Sequence, residues 1–286
     1  MAENNPGDIL TCDWNPFVGC VKYSPGCKHC WLLEGIYPWH QRLGHIPIDQ
    51  DPKTPHFIPR RMTEKSLAAK NGIIGVCQHG DLFWDKITDK QVNEILDLID
   101  TVAPKKIAQR QKAGRPAPKY ILWTKRVERM CKLMTKRYKD SELGGSIPAW
   151  YGLGASLENQ SIVDQRLPHL LKAPGFRIAV LEPILGEIDL SKYIAELDWV
   201  IVGSETGDGA RPADKEWFRK LRDITKAAGK PFFIKQLGTS HEHQERELDG
   251  RTWDEFPDGY VKKVKGVVSK PHQPIKSTAA ADLLTF

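Results

Sequence analysis

The 286-residue sequence has no apolar run near the roughly 20 residues that span a bilayer, which excludes a helical membrane protein. Its start, Met1-Ala2-Glu3-Asn4-Asn5, lacks the charged and apolar regions of a signal peptide, so the expected location is the cytoplasm. It has no Gly-x-Ser-x-Gly elbow, no His-Glu-x-x-His and no Walker ending, which leaves hydrolase, zinc-protease and P-loop readings without support. Repeats, low-complexity tracts and a clear linker are also missing. A chain of this length buries roughly three quarters of its extended surface, so neither disulfides nor metals are needed for stability. Charge of one sign is only slightly in excess, 42 Lys and Arg against 36 Asp and Glu. The excess is local: Lys105, Lys106, Arg110, Lys112, Arg115 and Lys119 lie close together without an acid among them, and Lys125 and Arg126 follow. Such a stretch suits a polyanion such as nucleic acid, with Lys105, Lys106 and Arg110 as candidate contacts, or equally a solvated loop.

Cysteine is scarce but clustered. Of six, three fall within eleven residues, Cys20-x6-Cys27-x2-Cys30, and no second C-x2-C occurs. Gly19, Pro25 and Gly26 make the intervening chain a turning loop, so three thiolates can converge on one point. Structural zinc is normally closed by four ligands, which would require Cys12, His29 or a remote group. Three cysteines suit a four-iron cluster with one iron left open. Iron–sulfur, zinc and a plain group of structural thiols are thus the three readings.

Seven short β-rich runs alternate with helical patterns. The expected strands are Ile9–Cys12, Ile73–Cys77, Tyr120–Thr124, Tyr151–Ser156, Arg177–Leu181, Trp199–Gly203 and Pro231–Lys235. Most are continuously apolar, as parallel strands covered on both faces are. Helices are expected over Thr88–Thr101, capped by Thr88 or Asp89, and over Arg126–Tyr138, Asn159–Lys172 and Asp214–Ala228. The fold class is α/β: a partial or complete parallel (β/α) barrel over residues 1–240, with a doubly wound open sheet as the alternative. Residues 45–70 and 104–118 read as long loops. Residues 241–286 read as an irregular C-terminal extension packed on the barrel, its last fifteen residues frayed.

In parallel barrels, chemistry gathers at the carboxyl ends of the strands. Those ends here carry the cysteine loop, Gly80-Asp81, Lys125, Ser156 and Glu158, Glu182, Glu205 with Arg211, and Lys235-Gln236. Singly, each fits a helix cap or a solvated loop. Together they place acids and bases at more strand ends than capping requires. Trp14, Trp31, Trp39 and Trp84 lie near the same rim and suit either packing or stacking on a base.

The block Cys12-Asp-Trp14-Asn15-Pro16-Phe-Val-Gly19-Cys20, then Ser24-Pro25-Gly26-Cys27-Lys-His-Cys30-Trp31, resembles phage and bacterial three-cysteine-motif proteins of largely uncharacterised function. That family looks like a divergent branch of the radical S-adenosylmethionine (SAM) superfamily. The likeness continues through Gly80-Asp81-Leu82-Phe83, Leu122-Trp-Thr124-Lys125-Arg126, Gly154-Ala-Ser156-Leu-Glu158-Asn159, Leu181-Glu182-Pro183, Val202-Gly203-Ser204-Glu205-Thr-Gly207 and Phe233-Ile-Lys235-Gln236-Leu-Gly238. Two departures from the commonest superfamily pattern stand out: six residues rather than three in the first gap, and His29 in the usual aromatic position.

The resemblance implies a barrel of the radical SAM type. Cys20, Cys27 and Cys30 would hold a [4Fe-4S] cluster whose open iron binds SAM, and the cofactors would supply a carbon radical for hydrogen abstraction. Gly80 and Asp81 would bind the SAM amino group, and Lys125, Ser156 and Glu158 its carboxylate or ribose. Glu182, Glu205 and Lys235 would be catalytic, with Arg211 and Gln236 also on substrate. The implied partners are nucleic acid and an electron donor such as flavodoxin or ferredoxin, in host cytoplasm if the gene is a phage's. The expected reaction is rearrangement of a modified base, an amino-acid-bearing thymine in phage DNA, with lesion repair or RNA or nucleotide modification as alternatives. The competing class is a non-catalytic, zinc-bearing nucleic-acid-binding protein.

Overall fold

The computed structural model describes residues 9–51, 53–240 and 245–260. Seven strands, β1 (Cys12–Trp14), β2 (Ile73–Val76), β3 (Lys119–Thr124), β4 (Tyr151–Ser156), β5 (Phe176–Leu181), β6 (Trp199–Val202) and β7 (Phe232–Ile234), form one sheet in that order. Every pairing in it is parallel. Because spatial order follows chain order without reversal, the doubly wound alternative is excluded: that fold needs a switch in winding direction. β1 and β7 do not pair with each other, so the sheet is a curled half-barrel.

Four long helices return the chain between strands: α1 (Asp89–Lys112), α2 (Val127–Tyr138), α3 (Gln160–Leu170) and α4 (Lys215–Ala227). Three start on side-chain caps, from Thr88, Asn159 and Asp214. Thr88 forms a reciprocal capping box with Gln91, satisfying two otherwise orphaned amides. The helices cover one face of the sheet, where Ile74, Val76, Tyr120, Leu122 and Tyr151 join the buried faces of α1, α2 and α3. The opposite, inner face carries Ile73, Ile121, Ile178, Val180, Trp199 and Phe233. It is filled from below by Ile9, which precedes the first strand, and Tyr260, which follows the last. Coverage on both sides is the physical reason the strands read as continuous apolar runs.

Two expectations need correction. β1 runs over Cys12–Trp14, not Ile9–Cys12: Ile9 is buried against the inner cluster, while Cys12 pairs with Ile74 and Trp14 with Val76. Residues 104–112 are not loop. α1 passes through Pro104 because Val102, Ala103 and Lys106 on either side are buried. The 45–70 connection also has local order, with Phe17–Val18 pairing antiparallel to His56–Phe57 and a short helix at Glu64–Ala68.

The described part of the C-terminal segment packs on β6 and β7. The indole of Trp199 donates to the Glu255 carbonyl at 3.0 Å, and Ile234 N donates to the Trp253 carbonyl at 2.8 Å. Tyr260 stacks on Phe176. The expected frayed last fifteen residues lie outside the described residues.

Candidate functional site

Trp14-Asn15-Pro16 anchors the cysteine loop at its root. The Trp14 indole donates to the Arg61 carbonyl (3.0 Å), Arg61 donates to the Asn15 carbonyl (3.1 Å), and the Asn15 side chain accepts from the His79 amide (2.9 Å). Gly19 then bridges Gly80 in parallel register and donates to the His79 carbonyl at 3.1 Å. A Cβ on Gly80 would stand 2.5 Å from the Phe17 ring and 2.9 Å from the Gly19 carbonyl, so only glycine permits this approach. Pro25–Cys27 forms a 3-10 turn, and one π-helical turn, Leu32–Ile36, follows Cys30 after Trp31.

The loop closes over a cavity of ≈ 350 Å³ on the inner face of the sheet, at the strands' carboxyl ends. Cys20, Cys27 and Cys30 all line it, as free thiols. Burial pushes the Cys20 thiol up to about 12, and the Asp81 carboxylate adds to the effect; Cys30 is also raised by burial. Thiols so placed stay protonated unless a cation compensates them, so they are not free nucleophiles. Among the described residues, no three His, Cys, Asp or Glu side chains are already drawn into a metal cage. The donor set still fits an iron–sulfur group: three unpaired sulfurs, one cavity, and no fourth cysteine on its wall. Cys12 bonds the Asn71 carbonyl beneath β2, and Cys77 and Cys131 are buried in the core, so these three belong to packing.

Three ionic nodes shape the wall. The first is Asp81, which accepts from the Thr124 hydroxyl (2.7 Å), the Phe83 amide (3.0 Å) and Arg126 (3.0 Å). The second is Glu158, fully buried, which takes Lys125 on one oxygen (2.8 Å) and Arg166 on the other (2.9 Å) and also accepts from the Ser24 hydroxyl. A Cβ on Gly26 would stand 2.5 Å from the Glu158 Cγ, so the turn before Cys27 rests directly on this side chain. The third is Glu182, gripped by Lys235 at 2.7 and 2.5 Å and by the Gln236 amide at 2.9 Å.

Glu205 and Arg211 form a separate clamp. Arg211 donates to both Glu205 oxygens (2.7 and 2.5 Å) and to the Pro25 carbonyl (2.9 Å), fastening the far side of the cysteine loop. Burial works to raise the Glu205 carboxyl, but hydrogen bonds from Arg211 outweigh it and hold the group below its ordinary range. His29 lies over Gly209, where a Cβ would stand 2.9 Å from its ring.

The structure thus brings most expected site residues together. Gly80, Asp81, Lys125, Ser156, Glu182, Glu205 and Lys235 line the cavity with the three cysteines. Glu158, Arg211 and Gln236 stand behind it, holding residues that do. Lys105, Lys106 and Arg110 are not at this site. They lie near the carboxyl end of α1, at the strands' opposite ends, where Lys105 pairs with Glu64 (3.3 Å) and Arg110 bonds Asn71 (3.1 Å) and the Pro116 carbonyl (2.5 Å). Lys106 is buried, donating to the Ala68 carbonyl (2.5 Å) and the Lys70 carbonyl, a structural tie between α1 and the short helix before β2.

Sequence reasoning missed Ser24, Gly26 and Arg166 as parts of the site. Gly26 was legible only as a turn residue, and Ser24 only as part of the cysteine block. Arg166, eight positions after Glu158, carries a signal in the helical pattern: a charged residue on the buried face of α3. Tyr23 was also missed. It is half exposed at the cavity mouth, with Arg126 4.4 Å and Arg166 5.7 Å from its ring centre.

Compared with known families, residues 9–257 match one described as "Protein of unknown function (DUF5131)". No curated protein and no solved structure matches the chain.

Proposed function

The chain belongs to the DUF5131 family, and from its site we propose that it is a radical SAM enzyme that modifies a nucleic-acid base. One observation carries this reading: three free thiols line a single cavity at the carboxyl rim of an all-parallel half-barrel, with a wall of paired acids and bases. Cys20, Cys27 and Cys30 would hold three irons of a [4Fe-4S] cluster. When bound, that cluster with SAM on its open iron supplies one-electron cleavage of the sulfonium and so hydrogen abstraction from an unactivated carbon.

The chain's own residues do the rest. Glu158, through the Ser24 hydroxyl, and Arg211, through the Pro25 carbonyl, hold the cysteine loop in place. Asp81, fixed by Thr124 and Arg126, and Lys125, held by Glu158, both line the cavity and would meet an amino acid's amine and carboxylate on giving up part of those contacts. Glu182 and Lys235 form a second such pair on later strands, both about one quarter exposed to the cavity. Opening that pair would let Glu182 accept an amine and Lys235 a carboxylate. This matches the expected amino-acid-bearing thymine and favours rearrangement of its side chain over lesion repair. Glu205 and Arg211 are taken by each other and by the loop, so they serve as positioning residues.

The test is anaerobic: reconstituted protein, SAM and a reductant, followed by chromatography for 5′-deoxyadenosine and mass spectrometry of nucleosides from modified phage DNA. Wild type should form 5′-deoxyadenosine, Cys27→Ala none, and Cys131→Ala the wild-type amount. A colourless protein that binds one zinc and cleaves no SAM would overturn the reading. Lys235→Met should spare SAM cleavage but reduce nucleoside conversion at least about tenfold, since it removes a charge partner from substrate.

A further inference from the structure

A second concavity, ≈ 560 Å³, opens beside the cysteine cavity and shares Tyr23, Lys125 and Arg126 with it. It runs along α2 and α3. Its walls hold Lys125, Arg126, Arg129, Lys132, Lys136 and Arg166 against only Asp85, Asp89 and Glu128. Most of these cations are already engaged. Lys125 and Arg166 hold Glu158, Arg126 holds Asp81, and Arg129 holds Asp89 and three backbone carbonyls. Glu128 faces His169 at 3.9 Å. Lys132 and Lys136 are different: one helical turn apart on α2, both exposed, they have no ion-pair or hydrogen-bond partner among the described residues. The groove therefore has two uncommitted positive charges at the spacing of one turn.

Where the groove meets the cavity, Tyr23 is 49% exposed, and Trp31 on the cavity's wall is 52% exposed. Two accessible aromatic faces at a mouth, continued by a cationic track, are the means by which proteins hold single-stranded nucleic acid: bases stack, phosphates follow the charges. We infer that this groove is the track for a nucleic-acid strand, with phosphates at Lys132 and Lys136 and a base on Tyr23, delivering the adjoining nucleotide into the cysteine cavity. An acidic protein would match the charges but has no use for exposed rings at the junction.

The inference rests on the cavity's reading as a base-modifying site, yet strand binding needs neither iron nor SAM. The test is fluorescence anisotropy of the full chain with a labelled single-stranded oligodeoxynucleotide across a salt series. Loss of two phosphate contacts in the Lys132→Ala/Lys136→Ala double variant should lower the salt slope by about 1.4 and weaken binding roughly tenfold. Tyr23→Ala should weaken binding at least about fivefold without changing the slope. Lys220→Ala, a cation on α4 paired with Glu187, should change neither. Unchanged affinity and slope in the double variant overturn the groove, even if SAM is cleaved. Equal weakening toward a poly-glutamate chain, with no effect of Tyr23→Ala, assigns the groove to an acidic protein and also overturns it. A wild type that cleaves no SAM while the slope falls as stated upholds the groove and sinks the chemistry alone.

Discussion

Gly26 has no side chain because the Glu158 carboxylate arm occupies the place where one would be. Gly26→Ala should therefore push the turn before Cys27 outward. Iron content after reconstitution should fall by more than half while the circular dichroism spectrum is unchanged. Glu158 itself is a buried carboxylate shared by Arg166, Lys125 and Ser24. Removing one partner of such a network leaves an uncompensated charge, so Glu158→Ala should cost about 3–5 kcal/mol in a urea titration. A third residue-scale effect concerns His40, which is bonded at both ring nitrogens, to His45 and His79, each at 2.9 Å. Burial, then the charge of His79, lowers His40 to about 3; burial, then Arg61, lowers His79 to about 4. Both are neutral when folded but take up protons below about 6.5 when unfolded. Their contribution is complete above that value and is lost as pH falls toward about 4. The urea midpoint should drop between about pH 7 and pH 5, and His40→Gln should flatten that drop. A midpoint that rises on acidification would contradict the assignment.

At the scale of elements, strands were more legible than their limits. Six of seven expected strands agree with the structure to within a residue or so, because apolar runs bounded by Gly, Pro and charge leave little freedom. β1 was displaced because Ile9 and Leu10 are apolar for a different reason: they cover the inner face instead of extending the ladder. The end of α1 was misread at Pro104, where burial of Val102, Ala103 and Lys106 outweighs the missing backbone bond. Its start was read correctly, as Thr88 shows. Thr88→Ala should cost about 1 kcal/mol, measured as a shift in the urea midpoint with unchanged slope. A loss below a few tenths would mean that packing alone fixes the start of α1.

For the whole molecule, the sequence located the rim but not its wiring. Which strand ends carry acids and bases follows from strand order, so Asp81, Lys125, Glu182 and Lys235 were visible beforehand. Which acid meets which base depends on side-chain reach across the curl, and that pairing ties Glu158, behind the cavity, and Glu205, on its wall, to the cysteine loop. The basic stretch lies away from the cavity, and along a helix a run of Lys and Arg is spread around the circumference. Lys106 falls on the buried side while Lys105 and Arg110 tie neighbouring segments. The central claim is that Cys20, Cys27 and Cys30 together hold an iron–sulfur cluster. The most direct measurement is iron and sulfide per chain after anaerobic reconstitution, for wild type and for single alanine variants of all six cysteines. About four iron and four sulfide are expected for wild type and for the Cys12, Cys77 and Cys131 variants, with severe loss in each of the other three. Iron that survives loss of Cys20, Cys27 or Cys30, or its replacement by about one zinc in wild type, would contradict the account.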